Sequence, residues 1–298
     1  MTRLNGNGGK VAGVGLAVAG AAALLFLLTS SRSGAVPNES DSRAMIGEAR
    51  EGRVTVPLSA AVPEVAVSSA KAAGRPIVLL DPGHGGDDPG AIAVSTTVTE
   101  KELTLTLARE LRDLLVERGR VRVAMTRDKD AYLSLDQRAA IARQLGASLF
   151  LSLHMDSAPN PLARGASVYS LSDVASDADA ARFAAAENAR GASAGGESGS
   201  VRAMLSDLGA RMQMTASAEL ASRLVRKAAG RVELRPEPHR FASFHVLRRS
   251  EAPAVLFEAG YISNADDELL LRSPEYRARI VAALAQAIEA DVAARNRR

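Results

Sequence analysis

Short apolar runs alternate with helical patterns from residue 75 onward, and this alternation constrains the fold more than any other feature. Ile77-Val78-Leu79-Leu80 has the length and composition of a buried parallel strand. Residues 100–118 then place leucines on one helical face, and Gly119 follows as a stop. Further strands are predicted at residues 121–126, 149–153, 166–171 and 254–257. The pattern predicts one α/β domain, with a mostly parallel, twisted sheet flanked by helices.

Residues 173–230 interrupt the alternation and are rich in Ala, Asp, Ser and Gly. Their pattern predicts two helices, at about 176–190 and 201–229, on either side of a flexible stretch at 191–200. A long insertion between strands is usually a lid, a regulatory element or a mobile loop. We therefore expect a helical insertion in the domain.

The pattern of the first 35 residues predicts that the protein is exported across a membrane. Arg3 and Lys10 precede an apolar stretch at 11–28, and small residues after it fit a signal-peptidase site. The stretch is also long enough to span a bilayer, so residues 1–35 are either a signal peptide or an N-terminal membrane anchor. Both alternatives place the chain in the periplasm or cell envelope, in the second case anchored to the inner membrane. No other membrane contact is expected.

Residues 36–74 are rich in Ser, Ala, Pro and charge and predict a flexible linker, which leaves 75–298 as the catalytic domain. Three of the 37 basic residues and none of the 34 acidic residues fall in residues 1–35, so the remainder is neutral. A nucleic-acid-binding domain normally carries a basic face, and no nucleic-acid partner is expected. The chain has no cysteine, which excludes thiolate zinc ligands, disulfides and a cysteine nucleophile.

Polar residues that do not suit a core follow three of the predicted strands. His84 lies in a glycine-rich stretch after the first, and His154 and Glu258 directly follow two others. The carboxyl ends of parallel strands face one edge of a sheet, where ligands bind, so these side chains can converge. Two imidazoles and a carboxylate are a common ligand set for an open zinc site.

Each of these residues also has a structural interpretation. Glu258 could form a buried ion pair with an arginine, and Glu100 could simply interact with the dipole of its helix. Asp81 is interpreted as a cap of the turn into the glycine-rich stretch. Of the remaining histidines, His239 is predicted in a loop and His245 on a strand.

Four segments occur in an order that is more specific than any one of them. They resemble, in this order, the motifs of N-acetylmuramoyl-L-alanine amidases of the zinc-dependent amidase-3 type, over about residues 76–292. The segments are Leu80-Asp81-Pro82-Gly83-His84-Gly85-Gly86, Thr99-Glu100-Lys101-Glu102, Ser152-Leu153-His154-Met155-Asp156-Ser157 and Val255-Leu256-Phe257-Glu258-Ala259-Gly260-Tyr261-Ile262-Ser263-Asn264.

The resemblance implies that His84, Glu100 and His154 bind Zn²⁺ and that Glu258 is the catalytic glutamate. It implies hydrolysis of the amide bond between N-acetylmuramic acid and L-alanine in peptidoglycan, by a monomer acting in cell-wall remodelling or daughter-cell separation. Two other functions remain open: a zinc carboxypeptidase or endopeptidase acting within the stem peptide, and an inactive wall-binding or regulatory protein.

The insertion resembles that of family members in which a helix covers the site until an activator protein displaces it. An acidic residue of that helix can occupy the open metal position. Glu187 is the candidate autoinhibitory residue here, and the alternative is an exposed helix glutamate.

Overall fold

The computed structural model of the protein describes residues 61–68, 74–190 and 201–297. The predicted export segment, residues 1–35, lies outside these ranges. Within them, no helix combines the length and the apolar character that a membrane span requires. The described strands are β1 (Val67–Ser68), β2 (Ile77–Pro82), β3 (Arg122–Met125), β4 (Leu149–Asp156), β5 (Ala166–Leu171), β6 (Leu234–Ala242) and β7 (Ala254–Tyr261). The described helices are α1 (Glu100–Arg118), α2 (Leu135–Gln144), α3 (Ala178–Arg190), α4 (Val201–Ala228), α5 (His245–Arg249), α6 (Ala265–Arg272) and α7 (Pro274–Arg295).

The strands form one sheet in the order β1-β3-β2-β4-β7-β5-β6. Strands β3, β2, β4 and β7 are parallel, as predicted, whereas β5 pairs antiparallel with β7 and parallel with β6. The predicted α/β fold with a mostly parallel sheet is confirmed. Because β5 and β6 run the opposite way, their first residues lie at the same edge as the last residues of β2, β4 and β7.

Helices cover both faces of the sheet, which explains the continuous apolar runs of its central strands. Strands β2, β4 and β7 are buried along their whole length. Buried residues of α1, α4 and α7 form the core on one face, and those of α2, α3 and α5 form it on the other. A strand buried on both faces cannot alternate apolar and polar residues.

Helix α1 begins and ends where the sequence predicts. The Glu102 carboxylate accepts a hydrogen bond of 2.9 Å from the backbone N–H of Thr99, which closes the first turn. At the other end, Gly119 adopts φ 65°, and its N–H donates to Leu115 O. These caps fix Glu100 in the first turn, beside the ends of β2 and β4.

Several local predictions were wrong. β1 lies in the predicted linker and pairs with β3, so the sheet begins before the boundary predicted at residue 75. His239 lies in β6, which was missed because Pro236 and Pro238 interrupt the apolar pattern, a composition tolerated at a sheet edge. His245 is the first residue of α5, and not part of a strand.

The two helices of the insertion have different roles. α4 packs against α7 and the sheet, and its residues Leu220, Ala221 and Leu224 are fully buried, so α4 belongs to the core. Of the described side chains of the insertion, those of α3 lie over the end of the sheet where the polar side chains converge.

Asp81 forms a buried ion pair, and its interpretation as a turn cap was wrong. Its carboxylate accepts hydrogen bonds from Arg138 Nη1 at 2.7 Å, Thr126 Oγ1 at 2.6 Å and Ser152 Oγ at 2.9 Å. Burial alone would raise the pKa of Asp81, but Arg138 and the two hydroxyls hold it below its usual value. Arg138 also donates to the carbonyl oxygen of His84 at 2.8 Å. The pair therefore joins the ends of three strands to the loop that carries His84.

Replacing Asp81 with alanine should strongly destabilise the domain, because it leaves the Arg138 guanidinium buried without its carboxylate. We expect the free energy of unfolding in urea to fall by about 3–5 kcal/mol. The matched control is Asp113→Ala, which breaks a surface pair with Arg112 and should cost about 0–1 kcal/mol. Equal losses in the two variants would show that the Asp81 pair does not organise the fold.

Candidate active site and metal centre

His84, Glu100 and His154 converge at the end of the sheet. For the two histidines this was predicted from their positions at the carboxyl ends of strands. The Oε1 atom of Glu100 lies 3.0 Å from His84 Nε2 and 3.1 Å from His154 Nδ1. One ligand atom from each residue lies within 4.8 Å of the others, and all three residues are buried. Two imidazole nitrogens and a carboxylate oxygen match the ligand set of a zinc site with an open fourth position.

The surroundings of this group fit a metal ion. His84 Nε2 is buried and makes no aligned hydrogen bond, although Glu100 Oε1 is close to it. Two glycines leave the space that the group needs: a Cβ atom would lie 2.4 Å from the His154 ring at Gly83 and 2.6 Å from Glu100 Oε2 at Gly90. A cation between the three side chains would satisfy the orphaned nitrogen.

The loop after β2 holds His84 in an unusual backbone conformation, with φ 61°. Arg138 donates a hydrogen bond to the carbonyl oxygen of His84, and the Nδ1 atom of His84 lies 2.8 Å from Asp88 Oδ2. A metal-binding imidazole commonly donates its other N–H to a carboxylate, which fixes the ring's orientation. No role was predicted for Asp88, although an acidic residue four positions after a candidate ligand is a pattern that can indicate such a contact.

Glu100 is held by backbone groups as well as by the imidazoles. Its Oε2 accepts from Ala91 N–H at 2.9 Å, and its Oε1 accepts from Met155 N–H at 3.0 Å. Burial alone would raise the pKa of Glu100, but His84 and His154 hold it far below its usual value. Glu100 therefore does more than interact with the dipole of its helix.

Glu258 faces the same group from the neighbouring strand, where it pairs in register with His154. It is fully buried, and neither carboxylate oxygen has a hydrogen-bond partner in the described part of the chain. Burial raises its pKa well above the usual value, and the charges of Asp156 and Glu100 add to the effect. The interpretation as an ion pair with an arginine was wrong, and the carboxylate is available for chemistry.

Glu187 points from α3 into the site. Its Oε2 lies 3.9 Å from His154 Nδ1, and its Oε1 accepts from Arg190 Nη1 at 2.7 Å. The interpretation as an exposed glutamate was wrong, since the residue is 9% exposed. The cavity left between α3 and the histidines measures about 30 Å³, which is room for very little water.

Two kinds of contact hold α3 over the site. The ring of Phe183 packs against Tyr169 and Phe244, with centroid distances of 5.3 and 5.5 Å. The Asn188 side chain donates to Ser243 O at 2.7 Å and accepts from His245 N–H at 2.8 Å. The helix is thus docked by one aromatic cluster and one side-chain amide.

The fold and the sequence are similar to those of known amidases. The structure resembles AmiC2, an N-acetylmuramoyl-L-alanine amidase of Nostoc punctiforme, with 26% identity and a TM-score of 0.52 over 72% of this chain and 96% of that one. In sequence, the chain is 32% identical to the amidase AmiA of Escherichia coli, over 73% of this chain and 76% of AmiA. It is 34% identical to AmiC of Neisseria meningitidis, but it spans only 52% of that relative.

The amidase-3 family profile, described as N-acetylmuramoyl-L-alanine amidase, matches residues 78–290. The chain therefore belongs to this family, and it is an amide-hydrolysing enzyme. The family assignment predicted from the ordered motifs is confirmed.

The four histidines of the chain offer an internal test of the metal centre. His84→Ala and His154→Ala should each abolish stoichiometric zinc binding, because each removes one of only three protein ligands. His239→Ala and His245→Ala should each keep one zinc per chain. Isothermal titration calorimetry of metal-free protein measures both outcomes, and zinc binding that survives in either of the first two variants would exclude the predicted ligand set.

Asp88→Asn should weaken zinc binding without removing a ligand. The amide cannot supply the negative charge that orients and polarises the His84 imidazole, so we expect the zinc dissociation constant to rise by about 10- to 100-fold. Competition with a zinc chelator measures it. Asp87→Asn is the matched neighbour, and an equal effect in both variants would point to a change in overall charge instead.

Proposed function

We propose that the protein hydrolyses the amide bond between N-acetylmuramic acid and L-alanine in peptidoglycan, with Zn²⁺ bound by His84, Glu100 and His154. The observation that carries this proposal is the buried, unpartnered Glu258 carboxylate beside a group of three metal-binding side chains. The names of the relatives supply the bond and the substrate.

In the proposed mechanism, His84, Glu100 and His154 would hold a zinc ion, which would supply a Lewis acid for the scissile carbonyl and a bound water with a pKa lowered towards ~7. Glu258 accepts a proton from the attacking water and later delivers it to the departing alanine nitrogen. The first transfer requires the carboxylate form of Glu258, and a cation held beside Glu100 would favour that form by offsetting the repulsion between the acidic residues. The products are a glycan with a free lactyl carboxylate and a released stem peptide.

Two other functions remain testable alternatives. A zinc carboxypeptidase or endopeptidase could use the same ligands but would cut within the stem peptide. An inactive wall-binding protein would release nothing from peptidoglycan. Mass spectrometry of sacculi digested with the zinc-loaded protein separates the three, because only the proposed amidase releases peptides that begin with alanine and leaves bare glycan strands.

Glu258→Gln should retain zinc and the folded state but lose about 10²- to 10⁴-fold in kcat, the usual contribution of a general acid and base. The amide keeps the shape of the side chain but cannot accept the proton. Turnover is measured on a soluble muramoyl peptide, and zinc content on the same sample. Activity close to wild type would exclude Glu258 from the proton transfers.

The predicted export of the chain agrees with a wall substrate. We propose that residues 1–35 direct it to the periplasm or cell envelope, where it acts in wall remodelling or daughter-cell separation. Whether that segment is cleaved or remains as an anchor can be determined by amino-terminal sequencing of the mature protein.

We also propose that α3 inhibits the enzyme and that an activator protein displaces it. Glu187 approaches His154, and the helix leaves little room for a substrate at the histidines. Besides the buried Ala180 and Ala184, α3 is held by the contacts of Phe183 and Asn188, and a partner that binds α3 could compete with these contacts.

Glu187→Ala should raise basal hydrolysis without an activator. Removing one contact worth about 1.4 kcal/mol would increase the displaced population roughly tenfold. The control is Asp179→Ala on the same helix, because that side chain is 65% exposed and pairs only with Arg182 at the surface. Unchanged or lower activity of the Glu187 variant, measured by dye release from labelled sacculi, would contradict the autoinhibitory role.

A further inference from the structure

The start of β6 lies beside the active-site end of the sheet. Since β6 runs antiparallel to β7, its second residue, Arg235, is at the edge where β4 and β7 end. The chains approach closely there: a Cβ atom at Gly165, which has φ 89°, would lie 2.6 Å from the backbone nitrogen of Arg235. Only glycine allows the two backbones to approach so closely, and the approach places Arg235 at the active-site end of the sheet.

Arg235 is held against a residue that follows Glu258 in β7. Its Nη1 donates to the Tyr261 hydroxyl at 2.5 Å, and its guanidinium carbon lies 5.9 Å from the centre of the Tyr261 ring. Tyr261 pairs in register with Asp156, two residues after His154. These contacts place the guanidinium on the Glu258 side of the metal centre.

In the described part of the chain, the Arg235 guanidinium has no carboxylate in direct contact, although Asp156 and Asp177 are near enough for its charge to act on them. Within the described ranges it forms no ion pair at 4.0 Å or less, whereas Arg138 pairs with Asp81 and Arg240 with Asp177. A guanidinium has five N–H donors, and Tyr261 uses one of them. Arg235 is also partly exposed, so its remaining donors are accessible to a ligand at the active-site end of the sheet.

We propose that Arg235 is a specificity residue that binds a free carboxylate of the stem peptide, one residue beyond the alanine of the scissile amide. The inference rests on the proposed function. It commits to the leaving-peptide side because Glu258, which protonates the departing nitrogen, lies on the same strand as Tyr261.

The spacing agrees with this position. Tyr261 lies opposite Asp156, two residues beyond the level of the His154–Glu258 pair, because β7 is irregular there; this corresponds to about 7 Å along the strands. In an extended peptide, a carboxylate one residue past the alanine lies about 6–7 Å from the scissile nitrogen, since each residue spans about 3.5 Å. Such a carboxylate is level with Tyr261, and a hydrogen bond of about 3 Å would join it to the guanidinium that Tyr261 holds.

The chemistry of the substrate makes this contact selective. The second residue of a peptidoglycan stem peptide is a glutamate linked through its side-chain carboxyl group, so its α-carboxyl group is a free carboxylate or, in some walls, an amide. Arginine binds a carboxylate through two parallel charged hydrogen bonds, which an amide cannot replace. The enzyme should therefore prefer the unamidated stem peptide.

The experiment compares two soluble muramoyl peptides that differ only in this carboxylate or amide, using the full chain loaded with zinc. Wild type should hydrolyse the carboxylate form with a kcat/KM about 10- to 100-fold higher. In Arg235→Gln the preference should disappear, because hydrolysis of the carboxylate form falls while that of the amide form changes little. The fraction of molecules with α3 displaced cancels in the ratio of two substrates on one enzyme.

Arg279→Gln is the control, because Arg279 is an exposed arginine over a tyrosine ring, 4.9 Å from its centre, on α7. It should keep the wild-type preference. A wild-type enzyme without a preference, or a preference that survives in Arg235→Gln, would overturn the inference while leaving the amidase function intact. Failure of wild type to release alanyl peptides from either substrate would instead refute the proposed function, and the inference with it.

Discussion

The Glu100 carboxylate lies between two imidazoles, and the active-site end of the domain is arranged to keep it there. One of its oxygens is about 3 Å from a nitrogen of each ring. Burying a carboxylate so completely is costly unless charge and hydrogen bonds compensate it. Two backbone N–H groups and the two histidines supply that compensation in the protein without metal. The same arrangement brings three ligands together, so a divalent cation can enter without a large rearrangement.

Support for this arrangement comes from the loop that carries His84, which has little regular structure of its own. Arg138, on α2, donates a hydrogen bond to the backbone carbonyl of His84. Asp88, within the loop, contacts the His84 imidazole. Asp81, inside the sheet, neutralises Arg138. The candidate metal centre is thus attached, through the His84 loop, to a buried ion pair.

The sequence allowed the central part of this structure to be predicted, because strand ends and helix caps are local features. The apolar runs located β2, β4 and β7, and the caps of α1 placed Glu100 correctly. Predictions failed where the structure of a segment, or the partner of a residue, depends on tertiary contacts. Asp81 depends on Arg138, a distant partner that no local pattern identifies, and β6 contains prolines that a central strand would not tolerate. The split of the insertion into a core helix, α4, and a helix over the site, α3, also depends on packing.

The central claim is that one zinc ion is bound by His84, Glu100 and His154. Anomalous diffraction at the zinc absorption edge, from crystals of the zinc-loaded protein, tests it most directly. The account predicts a single strong peak about 2.0–2.2 Å from one nitrogen of each histidine and from the Glu100 carboxylate. A zinc peak bound by other residues, with these three side chains turned away from it, would contradict the account.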